Sequence, residues 1–207
     1  MLLIEKDKQN YKCLCNGIQK FIADKPLLSE VMEINCFNND CNVIINDVLS
    51  CINKKAASPL LTIIDPYGIR TAPAETIKKI VNLPNPQDIF FNYILEEVRR
   101  TAGIAKKASL GNVELTKQEI TTVKTLHNFF GKDIDVLREN NDLQLLETYT
   151  QEVLNSSDKN KIIAFNMPYH ERNDIIYYLL FACKKDEITK VVKDIYGRQK
   201  KQQKEES

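Results

Sequence analysis

The sequence predicts an α/β domain with three layers and a mostly parallel sheet, and three observations carry that expectation. Short apolar runs alternate with amphipathic helical patterns four times before residue 95. The run LLTII at 60–64 is continuously apolar, the composition of a strand buried on both faces. The chain then closes on two apolar runs, 161–167 and 174–184, whose short link demands an antiparallel pair, because a parallel return needs a dozen or more residues.

Taken in order, residues 2–5 (LLIE) form an apolar run ending in an acid. Behind it Tyr11, Leu14, Ile18, Phe21 and Ile22 recur at steps of three and four, one face of a helix, until Pro26 stops the pattern. Residues 30–36 (EVMEINC) read as a strand. Asp40 is placed to cap a helix whose apolar face is Val43, Ile44, Val48, Leu49 and Ile52. Strand 60–64 is bounded by Pro59 and by Asp65-Pro66. Pro73 suits the first turn of a helix that turns Ile77, Ile80 and Val81 inward, and IFFNYI (89–94) is another buried strand. Strand and helix in this alternation predict right-handed crossovers, with helices on both faces of the sheet.

From about 96 to 158 the pattern becomes helical and polar, with a loop expected around Gly103–Asn112 and helices near 117–130 and 142–155. Within it Ile120, Val123, Leu126 and Phe130 share one face. A long helical insert between strands is expected to act as a functional lid. DEITKVVKDIY forms the last helix, and the charged tail 198–207 is expected to fray. The organisation is therefore one α/β domain over 1–197, with the insert inside it.

A chain of 207 residues fills one core, and 43% apolar with 28% charged residues is a globular composition. A net charge of +1 excludes a protein that coats duplex DNA, while leaving room for a local basic cleft. No apolar run reaches the length of a membrane span, and MLLIEKDKQNY is no secretory signal, so a cytoplasmic protein without membrane partners is expected. The 6 cysteines then read as buried, reduced thiols. Only Cys36 and Cys41 approach zinc-ligand spacing, and His127 and His170 lie far apart, so no metal is expected.

Three loops carry candidate chemistry, each with a plain alternative. Glu5 ends the first strand, where an acid can accept hydrogen bonds from both hydroxyls of an adenosine ribose; as easily, it caps the next helix. After the second strand, Asp40 can accept the adenine amino group with Phe37 against the ring face, or it is a helix cap that needs no ligand. Asp65-Pro66-Tyr67-Gly68 follows the most apolar strand. An amine attacking a sulfonium methyl needs alignment and acceptors for its protons; Asp65 and the Pro66 carbonyl supply acceptors, and Tyr67 a stacking ring. The alternative is an ordinary turn rich in Asp, Pro and Gly. Arg70, Arg99, Arg100, Lys106 and Lys107 are either phosphate contacts or solvated surface charges.

Four parallel strands followed by an antiparallel pair match the later part of the seven-stranded, Rossmann-like class I methyltransferase sheet. The Asp-Pro-Tyr-Gly loop resembles the Asp/Asn/Ser-Pro-Pro-Tyr/Phe loop of amino-group methyltransferases. With LLTIIDPYGIRTAPAETIKKIV, DIIYYLLFACKKDEITKVVKDIY, the acid-ended strand and the Asp40/Asn42 pair, the chain resembles the three-Cys-motif partner (TcmP) family, bacterial proteins described as methyltransferase-like. The resemblance spans roughly 1–197 and is weakest in the insert. It implies an S-adenosylmethionine cofactor at Glu5, Phe37 and Asp40, and acceptor handling by Asp65, Pro66 and Tyr67. It implies no role for the cysteines, since the family name refers to a neighbouring protein.

The chain departs from that family in one respect. Family members begin with a first strand and a Gly-rich turn that cradles the methionine portion of the cofactor, and none of the 6 glycines here falls in a G-x-G cluster. The first βα unit is thus expected to be missing. Its strand lies between the second and fourth of the full sheet, and buried unpaired amides cost about 1–3 kcal/mol each. Three resolutions follow: the second strand slides onto the fourth, another chain supplies the strand, or the product is truncated. Two functions remain, an amine methyltransferase acting on a nucleic-acid base and a non-catalytic protein of that fold working with a partner. A homodimer that covers the sheet edge is also expected.

Overall fold

The computed structural model describes residues 1–27, 33–53, 58–110, 114–135, 141–155, 161–168 and 175–205. The chain, which reads in sequence as one domain over 1–197, divides into two compact units, Met1–Lys54 and Lys55–Ser207. Together they are mixed α/β, with seven helices among the described residues.

The first unit pairs β1 (Leu2–Glu5) in parallel with β2 (Asn35–Asn38), Leu2 opposite Asn35 and Glu5 opposite Asn38. Helix α1 (Lys8–Asp24) lies between them in sequence, capped by Asp7, whose carboxylate accepts the backbone N–H of Gln9 and Asn10 at 2.8 Å each. It ends at Asp24, before Pro26. Its half-buried stripe is Tyr11, Leu14, Cys15, Ile18 and Ile22, while Phe21 stays out. The strand expected at 30–36 begins instead at Asn35: 30–32 lie outside the described residues, and pairing starts where the Asn35 N–H finds the Met1 carbonyl, at 2.9 Å. Helix α2 (Cys41–Asn53) follows. Its buried residue is Ile45, and Val43, expected inside, is exposed.

The second unit holds a four-stranded mixed sheet in the order β3-β4-β6-β5. β3 (Leu60–Ile64) runs parallel to β4 (Gln87–Tyr93); β6 (Ile175–Cys183) is antiparallel to β4 and to β5 (Lys161–Pro168), as the short link predicts. β4 buries every second residue, Gln87, Ile89, Phe91 and Tyr93, on one face. Against that face pack α3 (Ala74–Val81), α4 (Leu95–Ser109), α5 (Lys117–Phe130) and α6 (Asp142–Tyr149), which runs on into a π-helical turn, Thr150–Leu154. Phe129 stacks on Tyr149 with ring centroids 4.4 Å apart, at the centre of an aromatic cluster that includes Phe91, Tyr93 and Phe130. The other face carries Phe165, Phe181 and Cys183 beneath α7 (Asp186–Glu205), through Ile188, Val192 and Tyr196.

Several expectations are corrected here. The helical segment is no lid, since Leu126, Phe129, Leu145, Tyr149 and Val153 are core residues of the unit. No loop opens at Gly103: α4 continues to Ser109 because Val98, Thr101 and Ala105 are buried on one side, and Gly103 sits where nothing presses on it. The expected loop end at 111–112 lies outside the described residues. Ile120 is exposed, and Phe129 takes its place inside. The tail is helical to Glu205, which its run of Lys, Gln and Arg, all strong helix formers, explains. Among the cysteines only Cys183 is buried; Cys13 and Cys51 are exposed and Cys15, Cys36 and Cys41 intermediate, because the first unit is too thin to enclose them.

Candidate functional site

In the second unit, β3 delivers the Asp65–Gly68 loop at its carboxyl end. The register that sets Ile64 opposite Phe91 brings Asp65 beside Asn92, whose amide donates to Asp65 Oδ1 at 2.8 Å. The amide's own oxygen is buried with no hydrogen-bond partner among the described residues. An apolar residue would avoid that penalty of about 1–3 kcal/mol, so the bond to Asp65 is what Asn92 contributes. Past Pro66, the Tyr67 side chain is fully exposed.

The loop is fixed at its far end as well. Glu97, in the first turn of α4, accepts the Ile69 backbone N–H at 2.8 Å. Gly68 lies against the same carboxylate, 2.8 Å from where a Cβ would sit, though that carboxylate ends a flexible side chain able to yield. The Gly68 φ of −174° is extended and open to any residue. Thr71 Oγ1 donates to the Gly68 carbonyl at 2.7 Å. The result is a loop braced by Asn92 and Glu97 with Tyr67 projecting between.

Of the basic residues, Arg99 is engaged elsewhere, donating to Asp142 through Nε and Nη2 at 2.9 and 2.5 Å and to the Ile175 carbonyl at 3.4 Å. It ties α4 to the start of α6 and β6. Arg100 stands 3.7 Å from Glu97, and Arg70, Lys106 and Lys107 are exposed.

The first unit gathers Glu5, Phe37 and Asp40 at the carboxyl edge of its two strands. Glu5 Oε1 accepts the Asp7 N–H at 2.7 Å, so the acid braces the turn into α1 while Asp7 does the capping. Asp40 Oδ1 accepts the Asn42 N–H at 2.9 Å and Oδ2 pairs with Lys6 at 2.7 Å. The Lys6 hydrogen bond, followed by that of the Asn42 amide, lowers the Asp40 carboxyl below its ordinary range. Asp40 therefore caps α2 whatever else it does. Phe37 is 40% exposed beside them, and Asn38 donates to the Glu5 and Lys6 carbonyls at 3.0 and 3.1 Å.

No family model, curated protein or solved structure matches this chain. Its site is thus read from geometry. Among the described residues, no group of three or more His, Cys, Asp or Glu is placed to hold a metal ion, and no helix is long and apolar enough to cross a membrane.

Sequence reasoning singled out the three loops but not Asn92, Glu97 and Lys6, which the structure brings against them. Asn92 did leave a signal, as the one amide in the apolar run IFFNYI. Glu97 and Lys6 look like any surface charge until the fold carries them to their partners.

Proposed function

We propose that the chain is a methyltransferase-like protein of the Rossmann-like class I type, acting on an exocyclic amino group of a nucleic-acid base. The observation that carries this reading is the Asp65 carboxylate at a strand's carboxyl end, steered by Asn92 and followed by a fully exposed Tyr67. Strand order within each unit supports it: β1 and β2 run parallel in the first, and the second has the order β3-β4-β6-β5 with β6 antiparallel, as in the later strands of that fold. With Asn92 holding one Asp65 oxygen, the other oxygen and the Pro66 carbonyl accept the amine protons and leave the nitrogen lone pair directed away from them. Tyr67 provides a ring on which a planar base stacks.

S-adenosylmethionine, when bound, supplies an electrophilic sulfonium methyl. Glu5 and Phe37 suit its adenosine end, an acid for the ribose and a ring for the base. Asp40 fits less well, because both its oxygens are already engaged. For the methionine end the described residues offer no Gly-rich turn: the one glycine at positive φ is Gly131, which ends α5.

Methyl transfer from labelled S-adenosylmethionine to single-stranded DNA and RNA tests the reading. Asp65→Ala is expected to lower the rate at least about 100-fold, the scale of losing a positioned electrostatic partner, while circular dichroism stays unchanged. A variant as active as the parent chain removes the assigned role.

A second reading, a non-catalytic protein working with a partner chain, draws on β3. This strand ends its sheet, and Leu61 and Ile63 are 66% and 71% exposed on it. It has no charge, proline or bulge within its run to discourage another strand. A partner protein or a second copy of the chain would pair there. Light scattering separates the cases, with a dimer mass expected for self-pairing and a monomer mass excluding it.

A further inference from the structure

The loop after β3 presents one ring and two cations to solvent. Tyr67 is fully exposed, while Gly68 and Ile69 behind it are buried, with the Ile69 N–H held by Glu97 at 2.8 Å. The ring therefore stands on a fixed base. Arg70 lies in the 3₁₀ turn Ile69–Thr71 of the same loop, exposed and with no acidic partner among the described residues. Arg100 comes to the loop from α4. Its Nη2 stands 3.7 Å from Glu97 Oε1, and that oxygen is 3.3 Å from where a Cβ on Gly68 would lie. One carboxylate oxygen thus separates the Arg100 guanidinium from the residue after Tyr67. At 3.7 Å the pair makes no hydrogen bond, and the Arg100 side chain is 72% exposed, so its N–H donors stay available to a second anion.

We infer that this loop is a binding site for single-stranded nucleic acid, in which a base stacks on Tyr67 while Arg70 and Arg100 meet the phosphates beside it. The inference rests on the proposed role of Tyr67 as a stacking ring, and adds the form of the strand and the groups that hold its backbone. A ring receives a base on its face only where that base has left a duplex stack, and every base offers such a face. Guanidinium groups suit the neighbouring phosphates because their planar donors match two phosphate oxygens at once. Two such contacts also fit a chain of net charge +1, which lacks the basic surface needed to track a duplex.

Lys106 supplies the contrast. It is exposed on the same helix but sits in its last turn, about 9 Å further along the axis than Arg100. A diffuse attraction to polyanions would use Lys106 as readily as Arg100, whereas a site built on the Tyr67 loop would not.

Fluorescence anisotropy of labelled oligothymidylate and oligouridylate with the full chain, over a series of salt concentrations, tests the inference. Thymine and uracil carry no exocyclic amine, so methyl transfer plays no part in the readout. Both strands are expected to bind, because ring faces and phosphates are common to DNA and RNA. Log affinity should fall against log salt with a slope of about −1.4, the value for two phosphate contacts on a single strand. Arg70→Gln and Arg100→Gln should each bring the slope to about −0.7, and Lys106→Gln should leave it unchanged. Tyr67→Ala should weaken binding at least about fivefold at every salt concentration with the slope intact. All four side chains are exposed, so the variants keep the fold, as circular dichroism will verify. Failure of both strands to bind, equal binding of a duplex of the same length, or equal slope losses from Lys106→Gln and Arg100→Gln would overturn the inference. Binding of the expected pattern without methyl transfer to any strand would support it and remove the proposed reaction instead.

Discussion

The two units are built from the same strand–helix alternation, yet they bury very different amounts. In Lys55–Ser207 one sheet face is roofed by four helices, and aromatic rings from β4, α5 and α6 interlock in its centre. In Met1–Lys54, among the described residues, β1 and β2 are short, α1 buries no residue completely, and α2 buries Ile45. Local patterning is equally clear in both. What differs is the number of strands available to cover each helix: a helix stripe closes only against a sheet wide enough to meet it. Stability in such a chain is expected to be uneven, with the first unit opening more readily than the second.

The largest test of that contrast is a matched pair of truncations. Phe129→Ala removes a ring 1% exposed and stacked on Tyr149, and should cost about 3–5 kcal/mol. Ile18→Ala, on the half-buried stripe of α1, should cost about 1 kcal/mol. Urea unfolding measures both, and similar losses would mean the first unit is packed as tightly as the second. Next in size is Gly131→Ala, where φ is 71° and a Cβ would sit 2.8 Å from that of the buried Ala74. A loss of about 2 kcal/mol is expected there, read from the same curves.

The smallest effect is electrostatic and confined to the first unit. Asp40 has a folded-state pKa below its ordinary value, chiefly through Lys6. Its contribution is therefore present above about pH 4 and fades as pH falls through the lower folded value. Lys6 is 70% exposed, so Lys6→Ala should cost no more than about 0.5 kcal/mol at neutral pH. Most of that difference from the parent chain should disappear in acid. A difference that grows as pH falls would reverse the assigned sign.

The separate strands and helices were legible because their signals are local, whereas the one mostly parallel sheet expected is a parallel β1–β2 pair and a mixed four-stranded sheet with two antiparallel pairings. Apolar runs marked β3, β4, β5 and β6, and steps of three and four marked α1, α3 and α5; but β3, read as buried on both faces, lies at the sheet's edge and exposes Leu61 and Ile63. The misreadings fall where tertiary burial overrides a local cue. Gly103 suggested a loop, but Val98, Thr101 and Ala105 hold α4 together through it. Residues 33 and 34 suited a strand and are not one, because pairing begins at Asn35. The site divides along the same line. Asp65-Pro66-Tyr67-Gly68 is contiguous and could be read directly, whereas Asn92 and Glu97 reach it from 27 and 28 residues away through the β3–β4 register and the start of α4. No local pattern encodes such a meeting.

Under the proposed function, Glu5 and Phe37 at the carboxyl edge of the first unit receive the nucleoside end of the cofactor. Calorimetric titration of the full chain with S-adenosylhomocysteine, repeated with Glu5→Ala, tests it most directly. Saturable binding that the substitution weakens about tenfold, the scale of a lost charged hydrogen bond, is the expected result. No heat at millimolar ligand, or equal affinity in the two proteins, would contradict the account.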